Sequence, residues 1–399
     1  MSDFSQHGSI TTLQRLNDAH ASPLEADLEK ISRLAPVALV LPCHARDLAQ
    51  PALEHLLDEI VHAKFVREIV VSMNGLEGES VQQTQKKFAR LPQPHRLLWN
   101  DSPAVAAAYD RRTLPHDAHK APLQQGKGFN IWSAIGLLVH EQNCAIIATL
   151  DCDVTTFRRK MLVRLCSACA QPEMSYRLAK MYYPRVSDRI YGRVSRLFLA
   201  PFLQALVRVL GHQPLLDFLL GFRYPLAGEM AVARELAAAL PIENGWGCEI
   251  AMLCEAFRRA DPRQICQVDG GRDYDHKHQP LGDAAGGLFK MSKEIAHALF
   301  AQLIEEGVPV CATLTGAVTA SYRSEAREAL RRSKHLALIN AIPFHEADEE
   351  SCVQSFARAL ADAAEEMNRG AATGALPAWN RLLAENLNWC DGFFKSALV

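Results

Sequence analysis

Residues 144–153 read CAIIATLDCD, and this stretch joins an apolar run to a pair of acids. The run Cys144–Leu150 carries no charge, as is typical of a strand that is buried on both faces. Asp151 and Asp153 follow it directly, and side chains two residues apart in an extended segment point the same way. Such a pair offers the hard oxygen ligands that Mg²⁺ or Mn²⁺ prefers. The stretch predicts a strand that ends in a divalent-cation site, the alternative being a capped turn into the next helix.

Further strands and helices alternate before this stretch. Apolar runs at 35–41 and 68–72 and the segment HRLLW at 95–99 predict strands, and helical periodicity lies between them and at 128–140. This alternation is typical of an α/β protein with a mostly parallel sheet. Ligands of such sheets bind beyond the carboxyl ends of the strands. The segments expected at that edge are 42–47, 72–74 and 151–153.

The chain divides into three predicted parts. Residues 1–33 are a polar lead-in with one short helix, and residues 34–285 form the α/β part. Residues 286–399 are a helical C-terminal region, since the pattern changes to long helices from about residue 287. A helical region of this length is compatible with a homodimer.

Composition and charge exclude several classes of partner. The 399 residues include 43 Lys and Arg against 45 Asp and Glu, for a net charge of -2. This balance gives no bulk attraction to nucleic acid or to an anionic membrane. The apolar stretch 197–222 is interrupted by polar residues and prolines, which predicts burial or a peripheral surface rather than a membrane span. The polar start and eleven scattered cysteines lead us to expect a cytoplasmic protein without a secretory signal.

The tripeptide Gly126-Lys127-Gly128 directly precedes a predicted helix. Glycines let the backbone approach a phosphate closely, and the lysine and the helix N-terminus both supply positive charge. No Ser or Thr follows the lysine, so the phosphate-binding loop of ATPases is not matched. The tripeptide therefore predicts a phosphate contact, the alternative being a plain loop with a solvated lysine.

A second group of cations consists of Arg189, Arg193 and Arg196. Their spacing of i, i+4 and i+7 predicts one face of a helix. With Ser195 as a neutral donor, such a face can hold a phosphate or a carboxylate. The alternative is a solvated arginine face.

Two glycine-rich segments and one histidine-containing loop complete the candidates. The segments LAGE (226–229) and GWGCE (245–249) can bring backbone amides and a carboxylate to sugar hydroxyls. Glu249 also suits the first turn of a helix, which is the alternative role for it. In the loop 275–278, a histidine could complete the coordination of an ion at the two aspartates, since neutral imidazole binds transition metals well.

In order and wording, these segments resemble the GT-A glycosyltransferases of the glucosyl-3-phosphoglycerate synthase type. The resemblance spans about residues 35–282 and continues in the helical tail. The resembling segments are VALVLPCHARD, GKGFNIW, ATLDCDV, GRVSRLFLAPFL, YPLAGEM, GWGCEIAML and QVDGGRDYDHKHQPLG, followed by SYRSEAREAL and AWNRLL. The resemblance implies a GT-A fold, which is Rossmann-like with a mostly parallel sheet, and here a helical C-terminal extension. It also implies a retaining, metal-dependent enzyme that moves glucose from a nucleoside-diphosphate sugar to 3-phosphoglycerate.

The resemblance assigns roles residue by residue. The metal, Mg²⁺ or Mn²⁺, would be held by Asp151, Asp153 and His276. Glu249 would orient the donor hexose, and Asp153 and Glu249 would be the catalytic pair. The donor would also contact Pro42, Lys127, Asp151, Gly228 and Glu229, with Asn74 expected beside them at the sheet edge. The acceptor would contact Gly192, Arg193, Ser195 and His278.

Three departures from the family pattern leave alternatives open. The chain has His44-Ala45-Arg46-Asp47 where the family usually carries acids, which bears on recognition of the base. His278 stands where an asparagine is expected, and residues 272–275 look like an insertion, which bears on the acceptor. We favour UDP-glucose over a guanosine donor or a mannose donor. Other acceptors are glycerate, another small anion or a lipid phosphate, and a nucleotide-sugar-binding protein without catalysis is the alternative outside the enzymes.

Overall fold

The computed structural model describes residues 10–17, 21–109, 126–271, 281–283, 286–370 and 374–399. The strands are β1 (Thr11–Leu13), β2 (Val37–His44), β3 (Val66–Asn74), β4 (His95–Trp99), β5 (Ile146–Thr149), β6 (Leu178–Tyr182), β7 (Met230–Ala233), β8 (Ile242–Glu243), β9 (Ile265–Asp269) and β10 (Ala375–Leu376). The helices are α1 (Ala21–Ile31), α2 (Pro51–Ile60), α3 (Gly78–Phe88), α4 (Pro103–Ala108), α5 (Lys127–Glu141), α6 (Arg159–Ala170), α7 (Ala200–Leu210), α8 (Pro214–Leu220), α9 (Arg234–Ala239), α10 (Cys248–Arg259), α11 (Gly287–Glu305), α12 (Ala312–Ile339), α13 (Glu346–Asn368), α14 (Trp379–Glu385) and α15 (Leu387–Ala397).

Eight of the strands form one sheet in the order β1-β9-β6-β7-β5-β2-β3-β4. All neighbouring pairs are parallel except those that β7 makes with β5 and β6. The predicted mostly parallel sheet is thus confirmed. The strands predicted from 35–41, 68–72, 95–99 and 144–150 are all present.

Side chains of the central strands enter two separate cores. Along β2, Ala38 and Val40 belong to the core that contains α5 and α10, whereas Val37 and Leu39 belong to the core that contains α2 and α6. This alternation follows from the two-residue repeat of a strand. Burial on both faces explains why these strands are continuous apolar runs.

Helix α5 is buried from Gly128 to Val139 because the C-terminal region covers the side that faces away from the sheet. The rings of Trp132 and Trp379 lie 4.3 Å apart. The indole of Trp379 donates a hydrogen bond to the carbonyl of Trp132 at 2.7 Å. A helix that is apolar all round is stable in such a sandwich. The C-terminal region therefore supports the helix that begins at Lys127.

The apolar stretch 197–222 is part of the interior. It forms the end of a π-helical turn (Val194–Leu199), α7 and α8, and its Phe198, Phe202 and Phe218 are buried. This burial removes the support that the stretch lent to a peripheral membrane surface. In the described ranges, the helices are either too short or too polar to cross a bilayer.

The N-terminal segment contributes a strand to the main sheet. The lead-in supplies β1, a three-residue strand that pairs with β9 at the sheet edge and that the sequence pattern did not reveal. So short a segment shows no recognisable alternation. The division into 1–33, 34–285 and 286–399 and the homodimer stay predictions.

Candidate active site

The carboxyl ends of β2, β3 and β5 meet at one cavity of about 270 Å³, which we call the first cavity. Pro42 and Asn74 lie at the ends of β2 and β3, and Asp151 and Asp153 follow β5. Residues far apart in sequence are therefore brought together as the parallel sheet predicts. The cavity is further lined by Cys43, His44, Arg46, Asp47, Gly126, Lys127, Asn130, Cys152, Asn244, Gly245, Trp246, Lys290 and Glu294.

A second cavity, of about 380 Å³, adjoins the first. The residues that line both are Lys127, Asp151, Asp153 and Trp246. Gly192, Arg193, Ser195 and Glu249 line only the second, together with Arg185, Arg189, Tyr191, Val194, Tyr224, Leu226, Leu288, Met291 and Ile295. Two compartments that share an acidic and lysine-containing border suit a pair of substrates that react at that border.

Lys127 links the two compartments through two short ion pairs. Its Nζ lies 2.7 Å from Asp151 Oδ2 and 2.7 Å from Glu249 Oε1. Burial acts to lower the pKa of Lys127, but the carboxylates of Asp151 and Glu249 outweigh burial and raise it well above its usual range. Lys127 opens α5, where the helix dipole disfavours a cation. The two carboxylates thus hold an ammonium at a place where a phosphate would also be bound.

Asp151 and Asp153 are two acids whose charges interact, and the carboxylate of Asp151 packs against Gly228. Burial and the charge of Asp151 raise the pKa of Asp153 to about 7. A Cβ at Gly228 would collide with the carboxylate of Asp151, so a larger residue there would displace that carboxylate from its position. The hydroxyl of Thr149 donates to the carbonyl of Gly228 at 2.6 Å and fixes this contact. Two half-buried carboxylates that repel each other fit a divalent cation, which would relieve the repulsion.

The third predicted metal ligand, His276, lies outside the described residues, as does His278 of the predicted acceptor site. Among the residues that the structure describes, there is no group of three or more His, Cys, Asp or Glu side chains arranged for a metal. The described part of the predicted metal site is therefore the pair Asp151 and Asp153.

Glu249 lies in the first turn of α10, as predicted, but its side chain is not a free cap. Besides Lys127, its carboxylate accepts a contact from the thiol of Cys248 at 3.0 Å. Burial acts to raise the pKa of Glu249, but the charges of Lys127 and Lys180 outweigh it and lower the pKa. Glu229, also a predicted donor contact, is buried and lines neither cavity, and its carboxylate accepts a hydrogen bond from the hydroxyl of Tyr183 at 2.8 Å.

The predicted helical stripe of three arginines is wrong in one member. Arg189 lies in a bend before the helix, because Val186 and Ile190 pair as a bridge and Gly192 has a positive φ of 69°. Arg193 Nε donates to Glu349 Oε1 at 2.9 Å, and Arg196 also pairs with Glu349. Arg189 and Arg193 nevertheless both line the second cavity, whereas Arg196 does not.

The segment His44–Asp47 forms a short helical turn at the rim of the first cavity. The amide of His44 donates to Asp47 at 3.0 Å, and the amide of Arg46 donates to His44 Nδ1 at 3.1 Å. These bonds orient His44 and Asp47 through the turn itself. The side chains that depart from the family pattern thus surround the predicted nucleoside position.

Several residues of the site escaped sequence reasoning. Asn130 donates to Asn74 Oδ1 at 3.3 Å and accepts from Asn100 at 2.7 Å, which ties the end of β3 to α5. Asn130 lies within the recognised segment GKGFNIW, so that segment could have indicated it. Tyr224 opens the recognised segment YPLAGEM, which could likewise have indicated it, whereas Arg185 lies in no recognised segment and only the fold brings it to the second cavity.

Comparisons with known proteins show which family the chain is similar to. No protein-family model matches the chain. The glucosyl-3-phosphoglycerate synthase of Persephonella marina is 32% identical over 367 residues, which cover 92% of this chain and 90% of that protein. The glucosyl-3-phosphoglycerate synthase of Methanococcoides burtonii is 28% identical over 365 residues, which cover 89% of this chain and 87% of that protein.

Crystal structures of glucosyl-3-phosphoglycerate synthase from Mycobacterium tuberculosis share the fold. One, in complex with Mg²⁺ and uridine diphosphate, has a TM-score of 0.54 and 23% identity and covers 73% of this chain and 86% of its own. Another, in complex with Mn²⁺, UDP-glucose and phosphoglyceric acid, has a TM-score of 0.55 and 22% identity and covers 75% and 88%. The GT-A fold is thereby confirmed. The identity to the Persephonella marina protein over nine-tenths of both chains shows that this chain belongs to the glucosyl-3-phosphoglycerate synthase family.

Proposed function

We propose that the chain transfers glucose from UDP-glucose to 3-phosphoglycerate with retention of configuration. The observation that carries this proposal is the pair of adjoining cavities that share Lys127, Asp151 and Asp153. One cavity lies at the strand ends where nucleotides bind in such sheets. The other is lined by three arginines, Arg185, Arg189 and Arg193, and suits a small acceptor with two anionic groups.

In the donor site, the nucleoside lies in the first cavity over Pro42 and Asn74. Lys127 contacts the diphosphate, which then competes with Asp151 and Glu249 for its ammonium. Glu249, with Gly228 and Glu229 behind it, orients the hexose at the border of the two cavities. This arrangement is supported by the 2.7 Å contacts of Lys127 to both acids, since the three groups must share one small region.

The metal is Mg²⁺ or Mn²⁺, and Asp151, Asp153 and His276 are the residues that hold it in this proposal. When bound, a divalent cation supplies positive charge to the diphosphate as it departs. The raised pKa of Asp153, caused by its burial and by Asp151, supports a cation here. Crystal structures of the Mycobacterium tuberculosis relative contain Mg²⁺ or Mn²⁺ together with uridine diphosphate.

In the acceptor site, Arg193 and the backbone of Gly192 hold the phosphate, with Ser195 and His278 as further donors. Arg193 is already oriented by Glu349, so its remaining N–H groups point to a fixed place. The acceptor hydroxyl attacks the anomeric carbon on the side from which the diphosphate leaves. Its proton passes to the departing diphosphate oxygen, and no side chain of the chain is assigned as the base.

Lys127 is the group of the protein that we propose to assist the bond-breaking step. Negative charge develops on the diphosphate as the bond to the anomeric carbon breaks, and a fixed ammonium stabilises it. Because the side chain of Lys127 is only 15% exposed, the interaction is weakly screened by solvent.

A cytoplasmic location is part of the proposal. All eleven cysteines are free thiols, and only Cys311 is fully exposed. Unpaired thiols in this number are typical of proteins in a reducing compartment.

The test is a screen of donors against acceptors, read by mass spectrometry. UDP-glucose, GDP-glucose and GDP-mannose are each combined with 3-phosphoglycerate, glycerate and a lipid phosphate in vesicles, with Mg²⁺, Mn²⁺ or a chelator. We expect one product, glucosyl-3-phosphoglycerate, from UDP-glucose with metal only. A binding protein without catalysis would retain UDP-glucose in equilibrium dialysis and yield no product with any acceptor.

A further inference from the structure

A second lysine is buried beneath the site. Lys180 lies in the middle of β6 and is 1% exposed. Its Nζ makes no hydrogen bond to any described residue. Burial of an ammonium without a hydrogen-bond partner costs free energy, so its presence requires a reason.

The register of β6 indicates which face of the sheet Lys180 occupies. Leu178 belongs to the core with α5 and α10, whereas Ala179 and Met181 belong to the core with α6. Since side chains alternate along a strand, Lys180 points to the same face as Leu178. That face carries the first turns of α5 and α10, where Lys127 and Glu249 lie.

The surroundings of Lys180 are charged although they contain no direct partner. Burial lowers the pKa of Lys180, while the charges of Glu249 and Glu229 act in the opposite direction. Lys127 lines both cavities, but Lys180 lines neither of them. Lys180 therefore acts on Glu249 through its charge from inside the protein, whereas Lys127 contacts Glu249 at the border of the two cavities.

Donor binding makes this second cation necessary. Lys127 serves Asp151 and Glu249 at once, and a diphosphate would compete for the same ammonium. When Lys127 turns to the diphosphate, the described groups that still favour the carboxylate of Glu249 are the thiol of Cys248, in contact with it, and the charge of Lys180. A carboxylate that must accept hydrogen bonds from a sugar hydroxyl has to stay ionised in that state.

We propose that Lys180 is a positioning residue that keeps Glu249 an oriented carboxylate for the donor hexose while Lys127 binds the diphosphate. This inference rests on the proposed function of Glu249. Lys180 acts through Glu249 and touches no substrate. Burial of the Lys180 charge lowers the stability of the protein. This cost is tolerated because the charge is needed when the donor is bound.

The experiment is a double-mutant cycle on the full chain, with kcat and KM measured for UDP-glucose and 3-phosphoglycerate. The variants are Lys180→Met, Glu249→Gln and the double substitution, with Lys180→Arg as the charge-keeping form. Lys293→Met is the matched control, since Lys293 is a partly buried lysine paired with Glu366 away from both cavities. Thermal unfolding of each variant accompanies the kinetics.

We expect Lys180→Met to lower kcat roughly 10-fold to 100-fold, as loss of a group that orients a functional ligand commonly does. The KM for 3-phosphoglycerate should change less than twofold, and Tm should stay level or rise. In the Glu249→Gln background, the same substitution should cost less than twofold, because there is no carboxylate left to hold. Lys180→Arg should recover part of kcat, and Lys293→Met should match the wild type.

Three results would overturn the inference. The first is a kcat for Lys180→Met within twofold of wild type. The second is a fall in kcat of the double variant that equals the product of the falls in the two single variants. The third is a fall in Tm together with an inactive Lys180→Arg, which would indicate a purely structural residue. If Glu249→Gln itself has no effect on transfer, the proposed role of Glu249 fails instead, so the two failures are distinguishable.

Discussion

Lys127 Nζ and Glu249 Oε1 lie 2.7 Å apart and join the first turns of α5 and α10. The same ammonium contacts Asp151 at 2.7 Å. One cation thus pairs with Asp151, which lines both cavities, and with Glu249, which lines the second. Asp151, which we propose binds the metal, and Lys127, which we propose binds the diphosphate, are thereby in contact before any substrate binds. The net charge of the chain is -2, but positive and negative side chains are concentrated at different places in the site. This uneven distribution is compatible with the proposed binding of two phosphorylated substrates.

Lys127→Met should destabilise the metal-free protein. The substitution leaves Asp151 and Glu249 buried without their shared cation, and breaking such a pair costs about 3–5 kcal/mol of unfolding free energy. Denaturant unfolding with and without Mg²⁺ and UDP measures it, and we expect the two ligands to restore part of the loss. A variant as stable as the wild type in their absence would show that the ion pairs are unimportant.

Asp153→Asn should abolish transfer and leave the fold intact. The substitution replaces one of the two proposed carboxylate ligands of the cation with a neutral amide, which binds a divalent cation more weakly, while it preserves the shape of the side chain. Circular dichroism checks the fold, and calorimetric titration of UDP with and without Mn²⁺ checks the metal dependence. Asp261→Asn, at an exposed turn, is the control. Wild-type metal dependence of UDP binding in Asp153→Asn would contradict the assignment.

Arg193 and Arg196 should behave differently although both pair with Glu349. Arg193→Ala should weaken use of 3-phosphoglycerate by about 1.5–3 kcal/mol, the usual cost of losing a charge-assisted hydrogen bond. Arg196→Ala should lower stability but leave the acceptor KM near wild type, because Arg196 does not line the second cavity. Steady-state kinetics with both substrates separates these effects. A rise in the donor KM alone for Arg193→Ala would contradict the acceptor site.

Glu243 should make the protein less stable as pH rises. Burial raises the pKa of Glu243 to about 7 from a usual 4.5, with further contributions from Glu255 and Glu294, against a hydrogen bond from the amide of Gly374. The folded state then binds more protons than the unfolded state between pH 4.5 and 7, so unfolding free energy falls across this window. The fall attributable to Glu243 is about 3 kcal/mol at most.

Glu243→Gln should remove this part of the pH dependence. We expect the variant to be as stable as the wild type near pH 4.5 and more stable above pH 7, as measured by urea unfolding at a series of pH values. A constant difference between the two proteins across the window would show that Glu243 does not titrate there.

The sheet edge could be predicted because its residues follow apolar strands directly. Pro42, Asn74 and Asp151 each lie within two residues of a predicted strand end, and parallel strands deliver such residues to one edge. The prediction that Arg189 shares a helical face with Arg193 and Arg196 was wrong, because the spacing alone does not reveal that Gly192 adopts a positive φ and that the helix begins only after it. A periodicity of charges predicts a helical face only where the helix is continuous.

The remaining site residues depend on tertiary placement. Arg185 comes from a loop outside every recognised segment, and no local pattern marks such a residue for a cavity. Lys180 interrupts an apolar strand, and its burial became visible only once β6 was seen between β7 and β9. A charged residue inside an otherwise buried strand is the signal that could have indicated it.

The most direct test of the central claim is the anomeric configuration of the product made from UDP-glucose and 3-phosphoglycerate, determined by nuclear magnetic resonance in the presence of Mg²⁺. The donor carries glucose in the α configuration, so the account predicts an α-glucoside of intact 3-phosphoglycerate and its absence from a chelated sample. A β-glucoside, or UDP and free glucose without a phosphoglycerate product, would contradict it.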